Sequence, residues 1–298
     1  MTDCDDKSAV TGEAVGGGIY VENGLVYDCL VENIKLGKKG NASGAGIGVR
    51  ENPSVVSNCM VRNCSVTANR TAFGAGHGVS LYYAKDSSGA HVSLLTHCTI
   101  ENCGTDATTG RQMQKGGGLS VDWGRVENCV VRGCRSQNCD VIYFSNASAR
   151  NCLFADNRGV NNAVRLEKAT LDNCTIAGNC GAVTSVWANA ACKIYNSILS
   201  TVAGEYTIEE GATIERSCCP ALEEGVTGNT AKDPKFKSVA RGDYRLKGGS
   251  PCIDAGDNSR WDGVVDPVDL DGEPRIRYGI VDMGCYENRR VGMILILR

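Results

Sequence analysis

GGGLSVDWGRVENCVVRGC, residues 116–134, contains in one piece a pattern that recurs along the whole chain. Around Cys129 stand Val126 three residues before, Asn128 one before and Val131 two after. Cys29, Cys59, Cys98, Cys152 and Cys174 are framed the same way, by Val26/Asp28/Val31, Val56/Asn58/Val61, Leu95/His97/Ile100, Ala149/Asn151/Phe154 and Leu171/Asn173/Ile176. Ser197 (with Asn196) and Ser217 anchor two degenerate copies. One short motif repeated every ~20–30 residues marks a solenoid. Inside the copy, Leu119/Val121 and Cys129/Val131 alternate at i, i+2, with β-branched residues and no helical continuation. Val126 and Cys129 both face inward only if the chain bends between them, and Asn128 tolerates the left-handed conformation of such a corner.

Each copy is therefore a coil of short strands. Stacked coils pair equivalent strands ~4.8 Å apart in parallel, and one coil cannot bury its own apolar face. The expected fold is all-β: a right-handed parallel β-helix of roughly eight coils, with handedness from the crossover rule, and a β-rich C-terminal cap. The interior carries a cysteine ladder of Cys29, Cys59, Cys98, Cys129, Cys152 and Cys174. Asn58, Asn128, Asn151, Asn173 and Asn196 form a ladder at the corner. Stacked Cβ atoms ~4.8 Å apart sit too far apart for disulfides, which want ~3.8 Å, so these thiols are expected reduced and buried.

The chain has 298 residues, with 37 glycines marking corners, 6 prolines and a net charge of −3, which argues against a dedicated nucleic-acid binder. No run approaches the ~18 apolar residues of a membrane span. The opening MTDCDDKSAV carries no signal-peptide pattern, and Asp3-Cys4 matches the corner-plus-anchor dipeptide, so the chain is expected to start inside a coil, as a piece of a longer precursor or of a truncated reading frame. The 17 cysteines fall mostly on repeat positions and show no zinc spacing.

Insertions KLGKKGNAS (35–43), SVTANRTAF (65–73) and GTDATTGRQMQK (104–115) leave from one corner, and SLYYAKDSSGAHVS (80–93) leaves from another. Insertions on one side of a solenoid often form its binding face. Lys38, Arg70, Tyr82, Tyr83, Lys85, Arg111 and Lys115 are the candidate ligand-binding residues: cations beside tyrosines suit an anionic glycan. The alternative for these loops is a solvated surface with no specific partner.

GGGIYV (16–21), GGGLSV (116–121) and FADN (154–157) loosely resemble the repeats of polymorphic outer-membrane adhesins. A tighter resemblance lies in the C-terminal region. DPKF (233–236), GDYRL (242–246), GSPCIDAGD (249–257), DLDGEPR (269–275) and VDMGCYE (281–287) stand in the order of the choice-of-anchor Q domain. That resemblance implies a bacterial β-helix protein that is secreted or held at the cell surface. The expected organisation is coils over 1–213, a cap over 214–287 and a short tail over 288–298. The cap is expected to cover the last coil with Cys252, Ile253, Val281, Met283 and Tyr286. Asp269 and Asp271 beside Gly272 are a weak calcium signal, and turn capping is the competing reading. No other cofactor is expected.

GHGVS (76–80) resembles the Gly-His-Gly segment of polygalacturonase-type hydrolases, but no carboxylate pair accompanies it, and His77 occupies an inward slot. His97 holds a corner slot and His91 lies in a loop. The expected function is glycan binding or adhesion by a monomer through the inserted loops. The alternatives are a polysaccharide lyase or glycoside hydrolase on the same face, or a structural stalk.

Overall fold

The computed structural model describes residues 5–6, 14–15, 17–36, 42–51, 53–66, 76–89, 92–105, 115–137, 139–201 and 205–289. The coil read above runs through four strands, Leu119–Asp122, Gly124–Glu127, Val130–Arg132 and Arg135–Ser136. Each strand joins a different parallel sheet: an entry sheet and a middle sheet of eight strands each, then an anchor sheet and a closing sheet of seven each. Coils stack in register, so Val131 pairs with Ile100 on one side and Phe154 on the other. The chain is a right-handed parallel β-helix whose inward residues form one continuous core from Val31 to Cys219.

The corner between middle and anchor sheets is left-handed in every coil. Asp28, Asn58, His97, Asn128, Asn151, Asn173, Asn196 and Arg216 have φ of 47–54°. Asparagine leads there because its short side chain relieves the penalty L-residues meet at positive φ. Asn151 Nδ2 donates to Asn128 Oδ1 at 2.7 Å and Asn196 Nδ2 to Asn173 Oδ1 at 3.1 Å. Cys59, Cys98, Cys129, Cys152 and Cys174 are buried free thiols. Cys29 is only half-buried: among the described strands, its neighbour Leu30–Glu32 is the last of the anchor sheet and pairs with one coil.

A second corner follows five residues later, at Asn33, Asn63, Asn102, Gly133, Asp156 and Gly178, all at positive φ. Behind it runs a second buried ladder, Ile34, Cys64, Cys103, Cys134, Asn157 and Asn179. Asn157 Oδ1 accepts from Cys134 N at 3.0 Å, Asn179 Oδ1 from Asn157 N at 2.9 Å, and their Nδ2 atoms donate to the carbonyls of Val131 and Phe154. The asparagines thus satisfy backbone groups inside the dry stack.

The C-terminal region departs from the expectation of a lid on the last coil. Residues 217–230 do close that end: Cys218 bridges Ile198 and Thr230, and Asn229 Oδ1 takes Ser217 N at 2.9 Å. The chain then turns back and lies along the outside of the anchor sheet. There Phe236, Tyr244, Leu246, Cys252, Met283 and Cys285 pack on Leu153, Ala155, Ala177 and Ile198, residues that point away from the helix interior. Corner asparagines fasten it. Asn151 Nδ2 donates to Val268 O at 3.0 Å and Asn173 Nδ2 to Asp282 O at 2.8 Å, while Trp261 Nε1 donates to Asn173 Oδ1 at 2.8 Å. Arg260 grips both oxygens of Asp172, and Tyr244 OH donates to Asp156.

The physical reason is written on the outward columns of the anchor sheet. One column reads Glu32, Arg62, Glu101, Arg132 and then Ala155, Ala177. The charges pair with one another in water, Arg62 with Glu32 and Arg132 with Glu101. The alanines begin where the cap sits, and the sheet there has two apolar faces, both of which must be covered.

Within the cap, the motif words meet. Asp269 Oδ1 accepts from the backbone N–H of Asp271 and Glu273, and its Oδ2 from that of Glu287 at 2.7 Å. Asp282 accepts from Asp254 N at 2.7 Å and Asn288 N at 2.6 Å. The fully buried Arg275 donates to the carbonyls of Asp282 and Gly284 and lies 3.5 Å from Glu287.

Candidate functional site

The outer face of the entry sheet brings together aromatic and charged side chains from successive coils. Alternation places Val79, Leu81, Leu119 and Val121 in the core, so Tyr82 and Asp122 point outward. The pairing continues Asp122 to Ser145 to Glu167 in one column and Ser80, Ser120, Tyr143, Arg165, Trp187 in the next.

At the corner after this sheet stand Tyr83 and Trp123, with φ of 47° and 59°. The same corner uses Asn23, Glu51, Asn146 and Lys168 in other coils. A bulky aromatic in the left-handed region is strained, and such strain concentrates at functional positions. Tyr83 is 50% exposed and meets Tyr82 edge-on with ring centroids 4.6 Å apart. The Lys85 ammonium lies 3.6 Å from the centre of the Trp123 ring. Lower down, the Arg165 guanidinium lies 4.4 Å from the Trp187 ring.

Below these rings a chain of polar groups crosses the coils. Lys115 Nζ donates to Tyr143 OH at 2.6 Å, and Tyr143 OH donates to Glu167 Oε2 at 2.5 Å. Arg165 Nε donates to Glu167 Oε1 at 2.8 Å and lies 3.9 Å from Asp140. Asn162 donates to Asp140 through both its backbone and side-chain nitrogens. Burial would push Glu167 up, but hydrogen bonds from Tyr143 and Arg165 prevail and hold it below the usual range. Burial, and then the bond to Glu167, pushes the Tyr143 phenol well above its ordinary value. Asp140 is raised by burial. Asp122 is raised too, by burial, against the pull of Ser145, Lys115, Asn146 and Lys85.

Chemically these groups divide. Both oxygens of Glu167 accept hydrogen bonds from neighbouring side chains and Tyr143 is 1% exposed, so this pair braces the face. Asp122 is half-buried, and its carboxyl is raised by burial against the pull of Ser145, Lys115, Asn146 and Lys85. The aromatic corner with its cation is a stacking and charge-pairing surface.

Of the candidates read from sequence, Tyr82, Tyr83, Lys85 and Lys115 lie on or beside this face; Lys38, Arg70, Arg111 and His91 lie outside the described residues. His77 is buried and His97 is exposed at its corner. Trp123, Asp122, Tyr143, Arg165, Glu167 and Trp187 were not singled out. Their signal was parity: each stands at the outward slot in register with Tyr82 or Ser80, or at the corner after it. Asp269 and Asp271 do not form a cation cage. Asp269 spends its oxygens on backbone amides, and Arg245 takes both oxygens of Asp271 at 2.6 and 2.7 Å. Among the described residues, no group of three or more His, Cys, Asp or Glu converges to hold a metal, and no helix is long and apolar enough to cross a membrane.

No protein-family model matches the chain, and no curated protein matches it. Among solved structures the chain is similar to pectate lyase Pel9A, at 10% identity and a TM-score of 0.41, covering 93% of this chain and 84% of that one. A likeness of that size says nothing about activity.

Proposed function

We propose that the outer face of the entry sheet binds an acidic polysaccharide. The observation that carries this reading is the corner where Tyr83 and Trp123 hold strained left-handed positions in successive coils, with the Lys85 ammonium over the indole. A sugar ring presents C–H groups to an aromatic face, and a uronate or sulfate answers the nearby ammonium groups of Lys85 and Lys115. The stacked coils repeat at ~4.8 Å, about the length of one sugar residue, so the face offers successive subsites along a chain. The five C-terminal motif words, joined in one cap by Phe236 with Leu246, Arg245 with Asp271, Asp254 with Asp282 and Glu287 with Asp269, support treating the region from residue 214 as one module of the choice-of-anchor Q kind, and with it a place outside the cell or on its surface.

Titration of uronate oligosaccharides at low and high ionic strength tests the reading. Binding should weaken with salt and fall sharply in a Tyr83→Ala, Trp123→Ala double variant. Binding unchanged in that variant moves the site off this corner. Asp122 favours a second reading, cleavage of the bound chain. New unsaturated or reducing ends that disappear in Asp122→Asn would establish it, and a glycan recovered intact would dismiss it.

A further inference from the structure

Among the described residues, the cap's seat on the helix has an uncovered continuation. In the coils anchored by Cys152, Cys174 and Ser197, corner side chains hold the cap by its backbone. Asn173 Nδ2 reaches Asp282 O and Gly284 O, and Asn196 makes a reciprocal pair with Asp257, donating to its carbonyl at 2.9 Å and accepting its N–H at 2.7 Å. Gly284 fits because a Cβ there would stand 2.7 Å from Thr175 Oγ1 and 2.8 Å from Ile198 Cδ1. The coils nearer the N-terminus repeat the same corner, with Asn58 and His97 at φ of 50° and 51°, yet both are exposed. On either side of that corner the first outward slot of each strand is apolar, beside Tyr27, Ser57 and the Glu32–Arg62 ion pair in the next slot: Leu25 is 61% exposed, Leu30 47%, Met60 38% and Val55 36%. Leu30 and Met60 belong to the same column as Leu153 and Ile198, which the cap buries.

We propose that this strip docks an extended polypeptide segment of a partner, seated as the chain's own Val281–Cys285 segment is seated farther along. Size decides the occupant. Two strands of three residues from each of two stacked coils make a face ~10 Å high and ~20 Å along the chain. That is well below the ~800 Å² per partner of a stable pair of folded proteins, and it is the width of one or two extended chains. The segment that fits alternates apolar residues with glycine, as Met283-Gly284-Cys285 does, so its backbone reaches the Asn58 and His97 side chains while its apolar groups cover Leu30 and Met60.

A labelled peptide with the sequence of residues 281–288, carrying Cys285→Ser, serves as the probe in anisotropy titrations against the full chain. Saturable binding is expected, weakened about tenfold or more by Met60→Asp and by Leu30→Lys, the loss of one buried large side chain. Both residues face solvent, so both variants should melt like the parent. Absence of saturable binding overturns the proposal. So does binding that survives both variants, since the peptide would then be invading the cap's own seat. Self-association of the parent that is lost in Met60→Asp makes a second copy the occupant and equally overturns it.

Discussion

Replacing Asn173 with alanine should loosen the cap far more than the same change at Asn58. The two positions are matched. Both are corner asparagines with nearly equal φ, 47° and 50°, so the strain that alanine meets in the left-handed region cancels between them. They differ in what the side chain holds. Asn58 is exposed and donates to Asp28. Asn173 is fully buried; it donates to Asp282 O and Gly284 O and accepts from Trp261 Nε1 and Asn196 Nδ2. At about 1 kcal/mol net per hydrogen bond, with the buried Trp261 N–H left unpaired, Asn173→Ala should cost about 4 kcal/mol and Asn58→Ala about 1 kcal/mol. The difference of about 3 kcal/mol corresponds to roughly a hundredfold in the opening equilibrium. Native-state hydrogen exchange reads it directly: amides of residues 250–288 should exchange about a hundred times faster in Asn173→Ala than in Asn58→Ala, whereas the coils near Cys59 should be loosened only in Asn58→Ala, and only several-fold. Equal exchange of the cap in the two variants would refute the lateral seat.

Three further outcomes follow from the same contacts. Cys129→Asp places an unpaired carboxylate in a fully buried stack and should lose several kcal/mol in urea unfolding. Cys129→Ser should be mild, because Ser197 already fills the equivalent slot and donates to Tyr195 O at 2.7 Å. Ala177→Glu, beneath the cap, should be severe, whereas Arg132→Ala in the exposed part of the same column should change the melting temperature little. The cap should also weaken as pH rises from the acid range to about 8. Burial pushes Asp282 up to about 6 and Glu287 up to about 8, the latter despite Arg275. Groups raised on folding contribute stability that is complete below their unfolded pKa and is lost as pH rises through the folded value, here between about pH 4 and 8. Glu287→Gln should flatten the fall in melting temperature over that window. Asp257 and Asp271, held below the usual range by their hydrogen-bond donors, act in the opposite sense in acid.

Spacing alone was enough for the solenoid. The i, i+2 alternation about Cys129, the corner asparagine and the period are local features, and a stack repeats each local feature at every level. The second ladder was legible as well, in the five-residue echo of Asn58-Cys59 by Asn63-Cys64, and went unread because it decays to Gly133-Cys134 and Gly178-Asn179. Even the cap's footprint is written in one column, where Glu32, Arg62, Glu101 and Arg132 give way to Ala155 and Ala177. What sequence could not decide is where the C-terminal segment goes. Closing the last coil and lying along the anchor sheet both bury apolar residues. The choice rests on contacts between residues 88 to 117 positions apart, such as Trp261 with Asn173 and Val268 with Asn151. The candidate site was partly hidden for the same reason. Tyr82, Tyr83 and Lys85 share one insertion and are conspicuous together, but Trp123, Tyr143 and Glu167 come from three coils, and only the register of the stack makes them neighbours.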